Sequence, residues 1–153
     1  MESTLTIPVA TGSYVLLMPS PAEGNCRVGK RLSMSLQKGW YAYVGSALGP
    51  GGLRARLAHH LRPVADRTSR LHWHIDYLRE HLAVNEVWII ESREHLEHDW
   101  AQGFVALPGT VIPGPGLGAS DCACPSHLFY LPRRPVIFAP AGYTASRFVA
   151  NWP

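Results

Sequence analysis

Short apolar runs alternate with helical stripes along the chain, and together they predict a mixture of strands and helices. Residues 12–18 and 84–90 are apolar runs bounded by Gly, Pro or polar positions, which is typical of buried strands. In residues 40–44, a Trp, an Ala and a Val alternate with two Tyr, as a strand with two different faces requires. The remaining short strands are predicted within 26–34, 127–130 and 136–138.

Three amphipathic segments predict helices. The first begins near Leu53, after a Gly-Pro-Gly-Gly turn, and continues its apolar stripe through Leu57 and Leu61. The second and third follow Ser69 and Ser92, each of which can act as an N-cap. Their inward stripes are Leu71, Ile75, Leu78 and Leu82, and then Leu96, Trp100 and Phe104. The element order β-β-β-α-α-β-α-β predicts an α+β fold with helices around a small mixed sheet.

Composition supports one domain, which we expect to span residues 1–153. Hydrophobic residues make up 46% of the chain and charged residues 16%, which suffices for a buried core. The net charge of +3 is compatible with a polyanionic partner but too small to establish one. No run of about 20 apolar residues predicts a membrane span, and the N-terminus lacks the features of a secretory signal. Three cysteines give no disulfide framework, so the cytoplasm is the expected location.

The first helix carries a candidate phosphate site. Arg56 and His60 are spaced i, i+4 and project from one helical face, with His59 on its flank. Beside a strand that carries Tyr43, they could surround a phosphate, with the arginine neutralising charge and an imidazole or phenol handling a proton. The alternative interpretation is a solvated helix face whose basic C-terminal end is favoured by the helix dipole.

Ordered motifs extend this constellation into a resemblance. The segments Gly12-Ser13-Tyr14, Tyr43-Val44-Gly45 and Leu53-x-x-Arg56-Leu57-x-x-His60 resemble the GIY-YIG nuclease domain in the right order. The segments 39–49, 72–78 (His-Trp-His-Ile-Asp-Tyr-Leu) and 120–128 (Ser-Asp-Cys-Ala-Cys-Pro-Ser-His-Leu) resemble the Uri-type branch of that superfamily. The match covers about 12–130 and leaves 131–153 as a C-terminal extension. It implies a small, mostly antiparallel central sheet flanked by about three helices.

The resemblance implies a divalent-metal-dependent endonuclease acting on nucleic acid, with DNA favoured, in DNA processing or repair. Tyr14 and Tyr43 would line the site, Arg56 would stabilise phosphate charge, and His60 would complete the catalytic set. The residues assigned to substrate binding are Gly45, Ser46 and Arg54. A free phenol has a pKa of about 10, so a tyrosine base requires a nearby cation, metal or imidazole to lower that pKa or take the proton. A DNA-repair protein is a candidate partner.

Glu97 is the candidate ligand for Mg²⁺ or Mn²⁺. The segment 96–102 resembles the helix that carries the superfamily's glutamate. On a helical projection, Glu97 lies roughly 60° from the centre of the apolar stripe, so a firmly held side chain could still reach a cleft. One carboxylate with waters and substrate phosphate is enough for Mg²⁺. Glu94 is the rival ligand, and a structural helical glutamate is the alternative interpretation.

A second histidine cluster is assigned an auxiliary role. His72 and Asp76 are i, i+4 neighbours, so the carboxylate could orient the imidazole. His74 lies nearer the apolar stripe, where a core histidine is the alternative. The ordinary interpretation of the pair is a surface contact worth a few tenths of a kcal/mol.

The late cysteine segment has two interpretations. Cys122, Cys124 and His127 could bind zinc, with a fourth ligand from Cys26 or a distant histidine, although C-x-C-x-x-H is not a common zinc spacing. The favoured alternative is a loop that buttresses the site. Its candidate residues are Ser120, Asp121 and His127.

Two departures from the superfamily pattern keep other functions open. The interval between the two motif tyrosines, filled by residues 19–38, is longer than the usual hairpin and could hold an extra strand or a substrate-discriminating loop. The late asparagine of the superfamily is not clearly matched. A catalytically weak nucleic-acid-binding module and a zinc-stabilised interaction domain are therefore the alternatives. The sequence does not fix the oligomeric state.

Overall fold

The computed structural model describes residues 7–27, 33–61, 75, 78–79, 81–113 and 127–149. Its strands are β1 (Gly12–Ser20), β2 (Gly24–Arg27), β3 (Ser33–Leu36), β4 (Gly39–Ala47), β5 (Glu86–Glu91), β6 (Leu128–Leu131) and β7 (Ser146–Val149). Its helices are α1 (Gly52–Leu61) and α2 (Glu97–Ala106). The predicted α+β class is confirmed. Within the described ranges no helix is both long and apolar enough to cross a membrane.

A five-stranded sheet organises the fold. Its order is β6-β4-β1-β5-β7, and every neighbouring pair is antiparallel. The two longest strands, β1 and β4, pair along their full length and place Tyr14 opposite Gly45. This arrangement confirms the small antiparallel sheet that the resemblance implied, and the mixed sheet predicted from the element order is wrong, since all described pairs of this sheet are antiparallel.

The interval between the motif tyrosines contains β2 and β3, which form a separate antiparallel pair. Cys26, Met34 and Leu36 from these strands are buried in the main core. The prediction of an extra strand in this interval is therefore confirmed.

The two faces of the sheet bury different helices. Tyr14 and Tyr43 belong to a cluster that includes the α1 leucines Leu53, Leu57 and Leu61. The alternate residues of β1 and β4 belong to a second cluster with the large aromatic side chains of α2. Because side chains of a strand alternate between faces, α1 and α2 lie on opposite sides of the sheet.

The start of α1 is fixed by the chain segment before β1. Gly52 has φ +58°, and a Cβ there would lie 1.9 Å from the Val9 carbonyl oxygen, so no other residue fits. The Leu53 amide donates to the Ala10 carbonyl at 2.9 Å, and the Arg54 amide donates to the Pro8 carbonyl at 3.0 Å. Backbone carbonyls thus satisfy helix amides that would otherwise need a side-chain cap.

A buried carboxylate ties the C-terminal strand to the sheet. Glu86 is almost fully buried and accepts hydrogen bonds from the Trp88 indole at 2.5 Å and the Arg147 guanidinium at 2.6 Å. Arg134 also donates to it and lies over the Trp40 ring at 5.2 Å. Part of the stretch following Tyr130 is therefore built into the sheet and its core.

Two local predictions are wrong. Helix α2 begins at Glu97 after Leu96, without a side-chain cap, and the Ser92 hydroxyl instead accepts a hydrogen bond from the Glu94 amide at 3.0 Å. Residues 136–138 form no strand. The Phe138 ring instead packs at 4.9 Å from that of Phe104, because this segment crosses over α2.

The predicted second helix falls mostly outside the described residues. Ile75 and Leu78 are helical and buried in the cluster beneath α1. Leu82 is buried in the same cluster but lies beyond the helical turn. The apolar stripe thus predicts burial at these three positions correctly.

Candidate active site

A buried tyrosine–histidine pair forms the centre of the site. The Tyr14 hydroxyl and the His60 Nε2 atom are 2.8 Å apart, and each residue is 1% exposed. Tyr14 comes from β1, on the face that α1 covers, and His60 comes from the last turn of α1. The helix stripe that buries Leu57 and Leu61 therefore also turns His60 inward.

Gly45 makes room for the tyrosine. It lies opposite Tyr14 in the register of β1 and β4, and a Cβ at this position would lie 2.5 Å from the Tyr14 hydroxyl oxygen. A side chain here would displace the phenol from His60. This requirement explains the glycine of the Tyr43-Val44-Gly45 motif in physical terms.

Three further predicted residues surround this pair. The Tyr43 ring lies 6.3 Å from that of His60, and the Arg56 guanidinium hydrogen bonds to Tyr14. Burial raises the pKa of Tyr14 well above 10, and the nearby Tyr43 and Glu97 raise it further, while Arg56 lowers it. Because burial outweighs the arginine, Tyr14 remains a protonated phenol. Arg56 is the cation that was predicted to lower the pKa of Tyr14, but its effect is smaller than that of burial.

Glu97 lies close enough to this pair to act on Tyr14 electrostatically. It lies in the first turn of α2 with its side chain 13% exposed, 3.5 Å from His95 Nδ1, and its charge is felt by the Tyr14 phenol. The rival Glu94 is exposed and accepts a hydrogen bond from Tyr143. The five residues Tyr14, Tyr43, Arg56, His60 and Glu97 therefore lie around one centre.

A small recess opens beside this centre. It has a volume of about 220 Å³, and its described lining consists of the polar side chains of Arg56 and His59 and of small residues from the end of β4, the following turn and the start of α1. Sequence reasoning placed His59 on the flank of the helix and gave it no role. The i, i+3 spacing of Arg56 and His59 was the available signal, because such residues lie side by side on a helix.

A family model described as domain of unknown function DUF123 matches residues 13–143, which include all five residues of this centre. The chain belongs to this family. DUF123 is a family of GIY-YIG-like domains, which agrees with the order of the motifs and with the fold. Comparison of the chain with curated proteins and with solved structures gives no significant match.

The residues predicted to bind substrate have different surroundings in this DUF123 chain. Gly45 is buried under the Tyr14 ring, and Ser46 is half-buried opposite Ser13 in the sheet. The Arg54 Nε atom donates to the Ile7 carbonyl at 2.8 Å, a contact that holds the N-terminal segment against α1. A role for Arg54 in substrate binding stays a prediction.

Only one of the auxiliary residues falls in the described part of this DUF123 chain. His127 is buried, and its carbonyl accepts a hydrogen bond from the Val44 amide at 2.9 Å. Its ring lies edge-on to that of His98 in α2, with 6.4 Å between ring centroids. The positions outside the described residues are His72, His74, Asp76, Ser120, Asp121, Cys122 and Cys124.

The donor set of the DUF123 site suits a hard cation. Among the described residues, no three His, Cys, Asp or Glu side chains are grouped as a metal cage. A lone, nearly buried carboxylate at Glu97 fits Mg²⁺ or Mn²⁺, which retain waters and take oxygens from substrate phosphate. Zinc would require several nitrogen or sulfur ligands, and two of its three candidate ligands lie outside the described residues.

Proposed function

We propose that the protein is a divalent-metal-dependent endonuclease of the Uri-type branch, hydrolysing phosphodiester bonds of nucleic acid during DNA processing or repair. The observation that supports it most directly is the grouping of the Tyr14–His60 pair with Tyr43, Arg56 and Glu97. A hydrophobic core has no need of a guanidinium and a carboxylate beside a buried phenol, since desolvating such charges costs free energy. Such groupings are typical of functional sites.

Substrate phosphate would bind on the Arg56 side of the site. This guanidinium lies at the border between the buried Tyr14 hydroxyl and the open recess. Arginine makes strong, charge-assisted hydrogen bonds to phosphate oxygens, and they strengthen as negative charge develops during attack.

The tyrosine–histidine pair would handle the proton of the attacking water. As the water oxygen bonds to phosphorus, its proton passes to the Tyr14 oxygen, and the Tyr14 proton passes to His60 Nε2 across 2.8 Å. The bond from phosphorus to the leaving oxygen breaks, that oxygen takes a proton from solvent, and His60 then releases its extra proton to solvent. In this arrangement Tyr14 need not ionise beforehand, which accommodates its raised pKa.

Glu97 would hold the metal. When bound there, Mg²⁺ or Mn²⁺ supplies Lewis-acid stabilisation of the phosphate and of the charge on the leaving oxygen. The position of Glu97 in the first turn of α2 and its limited exposure keep the carboxylate in place.

A second candidate function is a nucleic-acid-binding module with weak catalysis. The observation that favours it is the burial of Tyr14 and His60, each 1% exposed, which keeps the central pair away from solvent. Such a module would act together with a DNA-repair protein.

A cleavage panel separates these functions. Single-stranded, duplex and branched DNA, with RNA counterparts, would be incubated with Mg²⁺, Mn²⁺ or EDTA and assayed by denaturing gel. We expect metal-dependent cutting, reduced about 10²-fold or more in Glu97→Gln and Arg56→Ala. The controls are Glu94→Gln and Arg93→Ala, exposed positions in the segment before α2.

The panel has three informative outcomes. Cutting by the wild type that both site variants retain in full would show that the site is wrong. Binding of nucleic acid without cutting in either metal would favour the module. Loss of cutting in the site variants but not in the controls would support the nuclease.

A further inference from the structure

The two adjacent histidines of α1 occupy different environments. His60 is fully buried and hydrogen bonds to Tyr14, whereas His59 is partly exposed and lines the recess with Arg56. Their rings lie 5.4 Å apart, centroid to centroid, in an edge-on arrangement. One histidine therefore faces the phenol and the other faces the space that a ligand can enter.

The recess is suited to an anion. Among the residues that the structure describes, its polar side chains are Arg56 and His59, and none of its lining residues is acidic. The remaining walls come from small residues, which leave a volume of about 220 Å³ next to the two donors. Those residues are Ala47, Gly49, Pro50, Gly52 and Ala55.

The start of α1 cannot supply the donors for such an anion. Its first four amides, from Gly52 to Ala55, already donate to the carbonyls of Gly49, Ala10, Pro8 and Gly51. Helix N-termini bind phosphate through amides that lack intrahelical partners, and here those amides are taken. Within α1, the donors toward an anion in the recess are therefore the side chains of Arg56 and His59.

We infer that His59 is a phosphate-binding residue, which forms with Arg56 a subsite for the non-bridging oxygens of a nucleic-acid phosphate. The spacing i, i+3 sets the imidazole and the guanidinium side by side above the recess. His60 acts on Tyr14, and His59 acts on the substrate. This assignment rests on the proposed function because the ligand is the same nucleic acid.

Binding without metal tests this assignment apart from catalysis. The probe is a fluorescein-labelled 20-base-pair duplex, with its single strand for comparison, measured by anisotropy in EDTA. We expect His59→Gln to raise Kd about tenfold, as for the loss of one hydrogen bond to a charged group. His59→Arg, which supplies a hydrogen-bond donor at the same position, should restore Kd, and His81→Gln, at an exposed position in a turn, serves as the control.

Steady-state cleavage supplies the second readout. His59→Gln should raise KM and leave kcat within about threefold, because the lost contact serves substrate and transition state alike. His60→Gln should lower kcat instead. Thermal melting of each variant checks that the fold is retained.

The failures of the two proposals are distinguishable. A wild-type protein that binds the duplex but does not cut with Mg²⁺ or Mn²⁺ would refute the nuclease, while Kd would still decide the role of His59. The assignment of His59 is overturned if His59→Gln binds like the wild type, if neither probe binds the wild type, or if kcat falls while Kd is unchanged.

Discussion

Replacing Glu86 by Gln tests the buried network that attaches β7 to the sheet. The carboxylate is 3% exposed and accepts hydrogen bonds from Trp88, Arg134 and Arg147. An amide keeps the shape and one acceptor but loses the charge and directs N–H groups toward guanidinium donors. Glu86→Gln therefore removes the ion pairs and leaves a buried donor without an acceptor.

The magnitude follows from how exposed each partner is. Arg134 and Arg147 have side chains that are 43% and 50% exposed and can regain water, so each lost pair costs about 0.5–1 kcal/mol. The buried amide donor costs about 1–3 kcal/mol more. We expect the free energy of unfolding to fall by about 2–5 kcal/mol, measured by urea denaturation at pH 7 with tryptophan fluorescence as the probe.

The dependence on pH gives an independent check. Burial raises the pKa of Glu86, but the hydrogen bonds from Trp88, Arg147 and Arg134 outweigh burial and hold it below 4.5. A carboxyl with a lowered folded-state pKa stabilises the fold above its unfolded pKa, and this contribution is lost as the pH falls through the folded pKa. The difference between wild type and Glu86→Gln should thus shrink below about pH 4.5.

Glu91→Gln, an exposed position in the same strand, is the matched control and should change stability by less than about 0.5 kcal/mol. If Glu86→Gln is as stable as this control at pH 7, the network does not stabilise the fold and the reasoning is refuted.

Three further predictions concern the site. Gly45→Ala should displace the Tyr14 ring and thereby reduce nucleic-acid cleavage. The same overpacking should lower the free energy of unfolding by about 1–3 kcal/mol. Unchanged cleavage would contradict the packing. Gly52→Ala should destabilise the fold by more than about 1 kcal/mol in urea, because its Cβ meets the Val9 carbonyl at a positive φ; a neutral result would count against this start of α1. The raised pKa of Tyr14 means that the folded state holds the phenol proton more tightly than the unfolded state does. Stability should therefore fall as pH rises above about 10, and Tyr14→Phe should flatten that fall. Equal loss of melting temperature at alkaline pH in both proteins would show that Tyr14 is not the group responsible.

Local patterns predicted the parts of the fold that depend on local chemistry. The apolar run of β1, the two-faced alternation of β4 and the leucine stripe of α1 all lie where the sequence placed them. The Gly-Pro-Gly-Gly turn marked the start of α1, because two of its glycines have positive φ. Each of these signals reflects the conformation of the residues that carry it.

Tertiary contacts decided the positions where prediction failed. Phe138 lies in an apolar triplet that is typical of a strand, yet its ring fills space against Phe104 and its carbonyl accepts from the Trp100 indole at 3.0 Å. The strand β7, Ser-Arg-Phe-Val, is short, and its Arg147 is used for the buried carboxylate of Glu86. Neither use can be inferred without knowing which segments meet.

At the site, too, local patterns predicted some features and tertiary contacts decided the others. The spacing of Arg56 and His60 indicated a shared helix face, but only the packing of α1 against β1 shows that His60 is buried and that His59 lies beside the recess. Glu97 was selected through the resemblance and its position at the edge of the apolar stripe. Its electrostatic effect on Tyr14 has no signature in the local sequence, because the two residues lie far apart along the chain.

The segment at residues 7–10 contributes none of the five residues of the proposed active site, yet it is joined to that site through α1. Its carbonyls hold the first turn of the helix that carries Arg56, His59 and His60. A force on this segment, from a fused neighbour, an affinity tag or a bound partner, would be transmitted to that helix through these hydrogen bonds. The proposed cleavage would then change while all five residues of the proposed site stay intact, so the placement of an N-terminal attachment should affect that cleavage.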